Sequence, residues 1–290
     1  TQLCNRRGTI EADITVARVA EEKFLLVTGT AFGLHDSQWI KNHMPADGSV
    51  IFHDVTSALA VINVIGPNSR KLLEKISRGD ISNENFRFSK CKQITVGHAP
   101  VTVLRVTFVG ELGYELYIPT EFACHVYESL WDAGQDLGIK NAGYRVINSL
   151  HFEKGYANWA SDLTPEYTPY DAGLGFCVAL NKGDFIGREA LAKIKAEGPK
   201  WRLCSFTIDA DQPVMLRGSE PITYKGKVIG TTTGGGYGYT VGKTIAYGYI
   251  PVADAKHDDD YEIEVYKEVY PAKRETNRAL YDPERKKILS

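Results

Sequence analysis

Beyond Gly198-Pro199-Lys200 the sequence offers strands and nothing else. Residues 203–208, 221–229, 244–250 and 261–269 are short runs rich in β-branched and aromatic residues, separated by turn residues. With no helical run among them, these strands must bury their apolar sides on one another, which predicts a small antiparallel barrel or sandwich over 199–290. Upstream, strands and helices mix. Residues 9–19 alternate, with Ile10, Ala12, Ile14 and Val16 on one face, and 24–28 forms an antiparallel partner across Glu21-Glu22-Lys23. Helices are predicted over 35–43, from Gly66-Pro67-Asn68 to Ile76, and over 121–137, 142–154 and 188–196. Residues 59–65 read as a buried strand, and 101–109 with 114–118 as a hairpin around Gly110-Glu111-Leu112-Gly113. The fold class is therefore α+β over 1–198, antiparallel sheets with packed helices, followed by an all-β domain over 199–290.

Composition narrows function. The 290 residues carry 34 Lys+Arg against 36 Asp+Glu, a net charge of −2 that gives no bulk attraction to nucleic acid. No apolar stretch approaches the roughly 20 residues needed to span a bilayer. Five widely spaced cysteines, none in C-x-x-C spacing, predict neither a disulfide framework nor a metal site and fit a reducing compartment. The glycine-rich run 230–242 fails as a phosphate loop. Gly242-Lys243-Thr244 would need glycine at 237, where Tyr237 stands, and a strand-like segment follows in place of a helix. The run is read as a flexible connection between two strands.

Two carboxylates stand out. Asp13 sits mid-strand opposite the aliphatic stripe, a poor place for aspartate unless its face is solvated or lines a pocket; periodicity alone leaves both open. Glu115 shares a strand face with Tyr117 and opposes Tyr114 and Leu116. It either projects into a concavity, where it accepts paired N–H donors of a heterocycle, or keeps an edge strand soluble.

At these residues the sequence resembles a known family. Gly8-Thr9-Ile10-Glu11-Ala12-Asp13-Ile14-Thr15-Val16, Val109-Gly110-Glu111-Leu112-Gly113-Tyr114-Glu115-Leu116, Phe185-Ile186-Gly187-Arg188-Glu189-Ala190-Leu191 and Gly242-Lys243-Thr244-Ile245-Ala246-Tyr247-Gly248-Tyr249-Ile250 are similar to motifs of the folate-binding glycine-cleavage T-proteins (aminomethyltransferases). The stretch from Asn141-Ala142-Gly143-Tyr144-Arg145 through Glu153-Lys154-Gly155-Tyr156 to Ala172-Gly173-Leu174 resembles the C-terminal half of sarcosine and dimethylglycine dehydrogenases. That resemblance implies a tetrahydrofolate-binding unit capturing the one-carbon fragment released when an N-methyl group is oxidised.

It also implies roles by position. Asp13 would serve the folate amine and its one-carbon unit as the catalytic residue. Thr15 and Thr28 would be polar folate contacts, and Glu115 would hold the pterin ring. Phe108 stands where T-proteins place a tyrosine, so it keeps a stacking ring without the hydroxyl. FAD is expected in a covalently linked upstream domain, since no G-x-G-x-x-G fingerprint occurs here. The resemblance further implies strands and helices before Thr1, so the folate domain is read as N-terminally truncated. No nucleic-acid or membrane partner is expected, and the compartment is a mitochondrial matrix or a bacterial cytoplasm. The alternatives are a stand-alone aminomethyltransferase and a non-catalytic subunit resembling the regulator of pyruvate dehydrogenase phosphatase.

Overall fold

The alternating run at 9–19 is not one strand. In the computed structural model, which describes residues 1–290, β1 (Gln2–Cys4) pairs antiparallel with β2 (Ile10–Asp13), and β3 (Thr15–Ala20) pairs with β4 (Lys23–Val27) in a separate two-stranded sheet. Ile10, Ala12 and Ile14 are buried as expected, but Val16 is 44% exposed and the next buried residue is Ala17. The alternation slips by one position at Ile14 because the chain there leaves one compact unit and enters another, each with its own core to cover. One unit comprises residues 1–14 and 143–283, the other residues 15–142 and 284–290.

The second of these units follows β3 and β4 with α1 (Gly33–Asn42), β5 (Leu59–Ile65), α2 (Ser69–Ile76), β6 (Ser77–Arg78), β7 (Cys91–Val96), β8 (Ala99–Leu104), β9 (Gly113–Pro119) and α3 (Ala123–Ala133). A five-stranded antiparallel sheet runs in the order β5-β9-β8-β7-β6. One face buries Tyr114, Leu116 and Ile118 with Leu72 and Leu73 of α2 and Val126 and Leu130 of α3. On the other face Leu104 and Tyr117 meet Ala17, with Val19, Leu25 and Val27 packed around them.

Two expectations change. β5 is an edge strand in which only Val64 is buried and Val61 stays 50% exposed, so 59–65 is not a buried strand. The hairpin is real, but its first strand ends at Leu104. Arg105 leaves the ladder to pair its backbone with Ser89 and Lys90, and 105–112 becomes an irregular connection.

In the other unit, β1 and β2 are joined by α4 (Arg145–Lys154), α5 (Arg188–Glu197) and the strands β10 (Trp201–Ile208), β11 (Pro221–Tyr224), β12 (Lys227–Gly238), β13 (Lys243–Pro251), β14 (Tyr261–Val265) and β15 (Glu268–Arg274). A short α6 (Lys286–Leu289) in the 284–290 segment ends the chain's helices. The six strands close into an antiparallel barrel, β10-β13-β12-β11-β14-β15, around Phe206, Ile222, Ala246, Ile250 and Ile263.

The glycine-rich run is not a flexible connection: through Gly238 it is the second half of β12. Its glycines serve close approach. A Cβ on Gly230 would lie 2.0 Å from the Tyr249 carbonyl oxygen, and one on Gly235 would lie 2.3 Å from Leu216 Cδ1 and 2.5 Å from the Ile245 oxygen. Gly234 and Gly236 lie beside Phe152 of α4, where an added Cβ would make only ordinary contact at 3.5 and 3.4 Å, and Phe152 meets the Tyr247 ring edge-on at 4.8 Å. Gly235→Ala is therefore expected to destabilise the chain by about 1–3 kcal/mol. Gly33→Ala, where a Cβ meets nothing within 4 Å and the backbone is right-handed helical, should leave the melting temperature unchanged or slightly raised.

Candidate functional site

Asp13 closes β2 directly opposite Gln2 of β1. The Gln2 side-chain amide donates to Asp13 Oδ1 at 2.8 Å. Burial pushes the Asp13 carboxyl above the usual aspartate range, against the opposing pull of the chain's amino group and of Gln2. Neighbouring Glu11, two residues back along the strand, accepts from Asn5 Nδ2 at 3.1 Å. The face opposite the aliphatic stripe is thus partly buried and internally hydrogen-bonded, not freely solvated.

The four remaining candidates belong to the other unit. Glu115 lies on β9 between Asn63 of β5 and Leu104 of β8. The Tyr117 hydroxyl, two residues along the same face, donates to Glu115 Oε2 at 2.6 Å. Burial, then the Glu115 charge, drives the Tyr117 phenol far above its ordinary acidity range, so it stays a donor at any physiological pH. Thr15 opposes Val27 across the β3–β4 ladder and shares the parity of Ala17 and Val19, the residues turned toward the sheet face that bears Tyr117.

Thr28 follows β4 and donates its hydroxyl proton to Asp36 Oδ2 on α1. Asp36 is 1% exposed and is also held by His35 Nδ1 at 2.9 Å. Phe108 sits in the 105–112 connection and is 37% exposed. Thr15 and Glu115 therefore share one side of the sheet, while the Thr28 hydroxyl turns to α1.

Sequence reasoning placed Tyr117 on the face of Glu115 but missed Gln2 and Asp36, the other side chains that hold the candidates in place. The Glu115/Tyr117 pair carried a signal, since residues two apart on a strand share a face. Asp36 carried none, because a helical aspartate beside histidine reads as surface charge.

Comparison with known proteins agrees with this architecture. The GCVT N-terminal domain matches residues 1–182, and the glycine cleavage T-protein C-terminal barrel domain matches residues 202–282. The mitochondrial dimethylglycine dehydrogenase of Rattus norvegicus is 39% identical over 92% of this chain, and the mitochondrial sarcosine dehydrogenase of Homo sapiens is 36% identical over 99%. This chain spans only 31% and 33% of their respective lengths. The crystal structure of the glycine cleavage system aminomethyltransferase T from Bartonella henselae superimposes with a TM-score of 0.83 at 24% identity, covering 97% of this chain and 75% of that one. An α+β domain followed by a closed antiparallel barrel, matched in that order by both domain families, places the chain in the folate-binding glycine-cleavage T-protein (aminomethyltransferase) family.

Proposed function

We propose that this chain is the tetrahydrofolate-binding portion of a flavin-dependent N-methylamine dehydrogenase of the sarcosine or dimethylglycine type, collecting the released one-carbon unit as 5,10-methylenetetrahydrofolate. The observation that carries the reading is the match of almost the whole chain to one third of each dehydrogenase. On it, a flavin domain lies elsewhere in a longer polypeptide, in a mitochondrial matrix or bacterial cytoplasm. Residues 1–198 form the folate domain and 199–290 the barrel domain.

The residues present fit a reduced pterin. Tyr117 fixes Oε2 of Glu115 and leaves Oε1 to accept from a heterocycle N–H. Phe108 is a partly exposed aromatic ring at the position where the family stacks the pterin, and Thr15 brings a hydroxyl toward the sheet face that bears Glu115. Bound tetrahydrofolate supplies the amine that attacks the electrophilic carbon. Asp13 accepts the proton released as the carbon–nitrogen bond forms, and its charge stabilises the cationic one-carbon unit. A carboxylate whose burial raises its basicity is suited to that proton. The identity to the dehydrogenases, 39% and 36%, exceeds the 32% to the aminomethyltransferase of Symbiobacterium thermophilum, which favours this reading over a stand-alone aminomethyltransferase.

Isothermal calorimetry with tetrahydrofolate tests it. The wild type is expected to bind, and Glu115→Ala to weaken binding about 10- to 100-fold, the range for a hydrogen bond to a charged group. An absence of heat with the wild type would sink the folate reading.

A further inference from the structure

Asp36 is used by no step above, yet it is almost fully buried and receives two side-chain hydrogen bonds, from Thr28 Oγ1 and His35 Nδ1. A carboxylate only accepts, so both partners must bring the proton. The imidazole is thereby fixed with its hydrogen on Nδ1. The Thr28 hydroxyl, which has a single proton, is left with lone pairs alone for any further partner. Its position is equally constrained: Thr28 directly follows β4, and α1 carries Asp36 in its first turn.

We propose that Asp36 is a positioning residue that sets the hydrogen-bond polarity of Thr28, making it an acceptor for a ligand N–H of the kind a reduced pterin carries. This rests on the folate reading above and on the folate contact that the family resemblance implies for Thr28. Changing the carboxylate to an amide reverses the arrangement without changing its shape. In Asp36→Asn the His35 Nδ1–H takes the amide oxygen, the amide NH2 turns to Thr28, and the Thr28 proton points outward against the ligand's own donor.

The test is a thermodynamic cycle on the full chain, read as tetrahydrofolate affinity by calorimetry at neutral pH, with a melting curve for each variant. Asp36→Asn and Thr28→Val are each expected to weaken binding about tenfold, the loss of one hydrogen bond. The double variant is expected to bind no worse than either single one, because both changes remove the same contact. A merely structural Asp36 gives losses that multiply to about a hundredfold, and that result overturns the proposal, as does wild-type affinity in Asp36→Asn. Thr28→Ser keeps the hydroxyl and should bind as wild type does. Equal binding by Thr28→Ser and Thr28→Val overturns the proposal by itself, whether or not Asp36→Asn folds. A wild type that takes up no tetrahydrofolate overturns the folate reading and this one together; a wild type that binds, with Asp36→Asn binding equally well, overturns this one alone.

Discussion

Asp13→Asn is expected to remove most of the methylene-tetrahydrofolate yield and at the same time to raise the melting temperature. The first effect follows from the role proposed for the carboxylate. Removing a positioned general base lowers rates by about 10²- to 10⁴-fold, while Asn keeps the shape and the oxygen that Gln2 approaches at 2.8 Å. Folate affinity should change little. The second effect follows from linkage. Burial raises the folded-state pKa of Asp13 above the ordinary aspartate value, so ionising it works against the folded state. That penalty is absent below the unfolded pKa, where the group is protonated in both states, and complete above the folded pKa. The stabilisation of Asp13→Asn over wild type should therefore be full above the folded pKa, fade as pH falls through it, and be gone below about 4. Melting curves between pH 3.5 and 7.5 read the second effect. Methylene-folate formed per amine oxidised, in the full-length polypeptide, reads the first. A yield unchanged from wild type removes Asp13 from the chemistry; a stabilisation independent of pH removes burial as the cause of its raised pKa.

Removing residues 286–290 is expected to lower stability by about 3–5 kcal/mol, the magnitude for a buried charge that loses its partners. Arg105 is fully buried in the five-stranded-sheet unit. Its guanidinium donates to the Phe86 carbonyl at 2.6 Å, to Asn83 Oδ1 and to the Ser290 carbonyl, both at 2.5 Å, while Nε has no partner. Arg70 Nη2 reaches the same Ser290 carbonyl at 2.8 Å, and Ile288 is 1% exposed. The last residues thus complete the solvation of a cation that the sheet cannot satisfy alone. Arg105→Met in the shortened chain should recover part of the loss, since an apolar side chain of similar length leaves no charge unpaired. Urea midpoints of the shortened and double-altered chains measure both effects. A shortened chain as stable as the wild type would show that Arg105 does not depend on the terminal segment.

Much of the fold was legible because it rests on side-chain periodicity. The barrel strands around Phe206, Ile222 and Ile250, and α2 with Leu72 and Leu73 inward, carry patterns a single core imposes. What was hidden lacks such a pattern. Gly230 and Gly235 hold a strand through the closeness of the neighbouring backbone and of Leu216, and a residue without a side chain advertises nothing of this. The break at Ile14 was invisible because the alternation continues through it in sequence, and only burial of Ala17 in place of Val16 reveals the slip. Of the candidate site, Glu115 with Tyr117 could be read from strand parity. The partnership of Thr28 with Asp36 could not, since a loop and a helix eight residues apart bring it about.

The alternation of the two units along the chain, 1–14 with 143–283 and 15–142 with 284–290, bears on how the protein is made. Synthesis runs from the amino terminus, and neither unit is complete in the order in which its residues emerge. β1 and β2 appear first, yet the Ile10 amide must wait for the carbonyl of Tyr167. The sheet around Arg105 emerges next, and its cation waits for Ser290, 185 residues later. Each unit therefore closes only once its later segment, 143–283 or 284–290, has emerged, with an apolar strand pair and a buried-to-be cation exposed in the interval. A nascent chain of this kind invites chaperone capture during translation, and splitting the gene at 142/143 would give two products that each lack an essential piece.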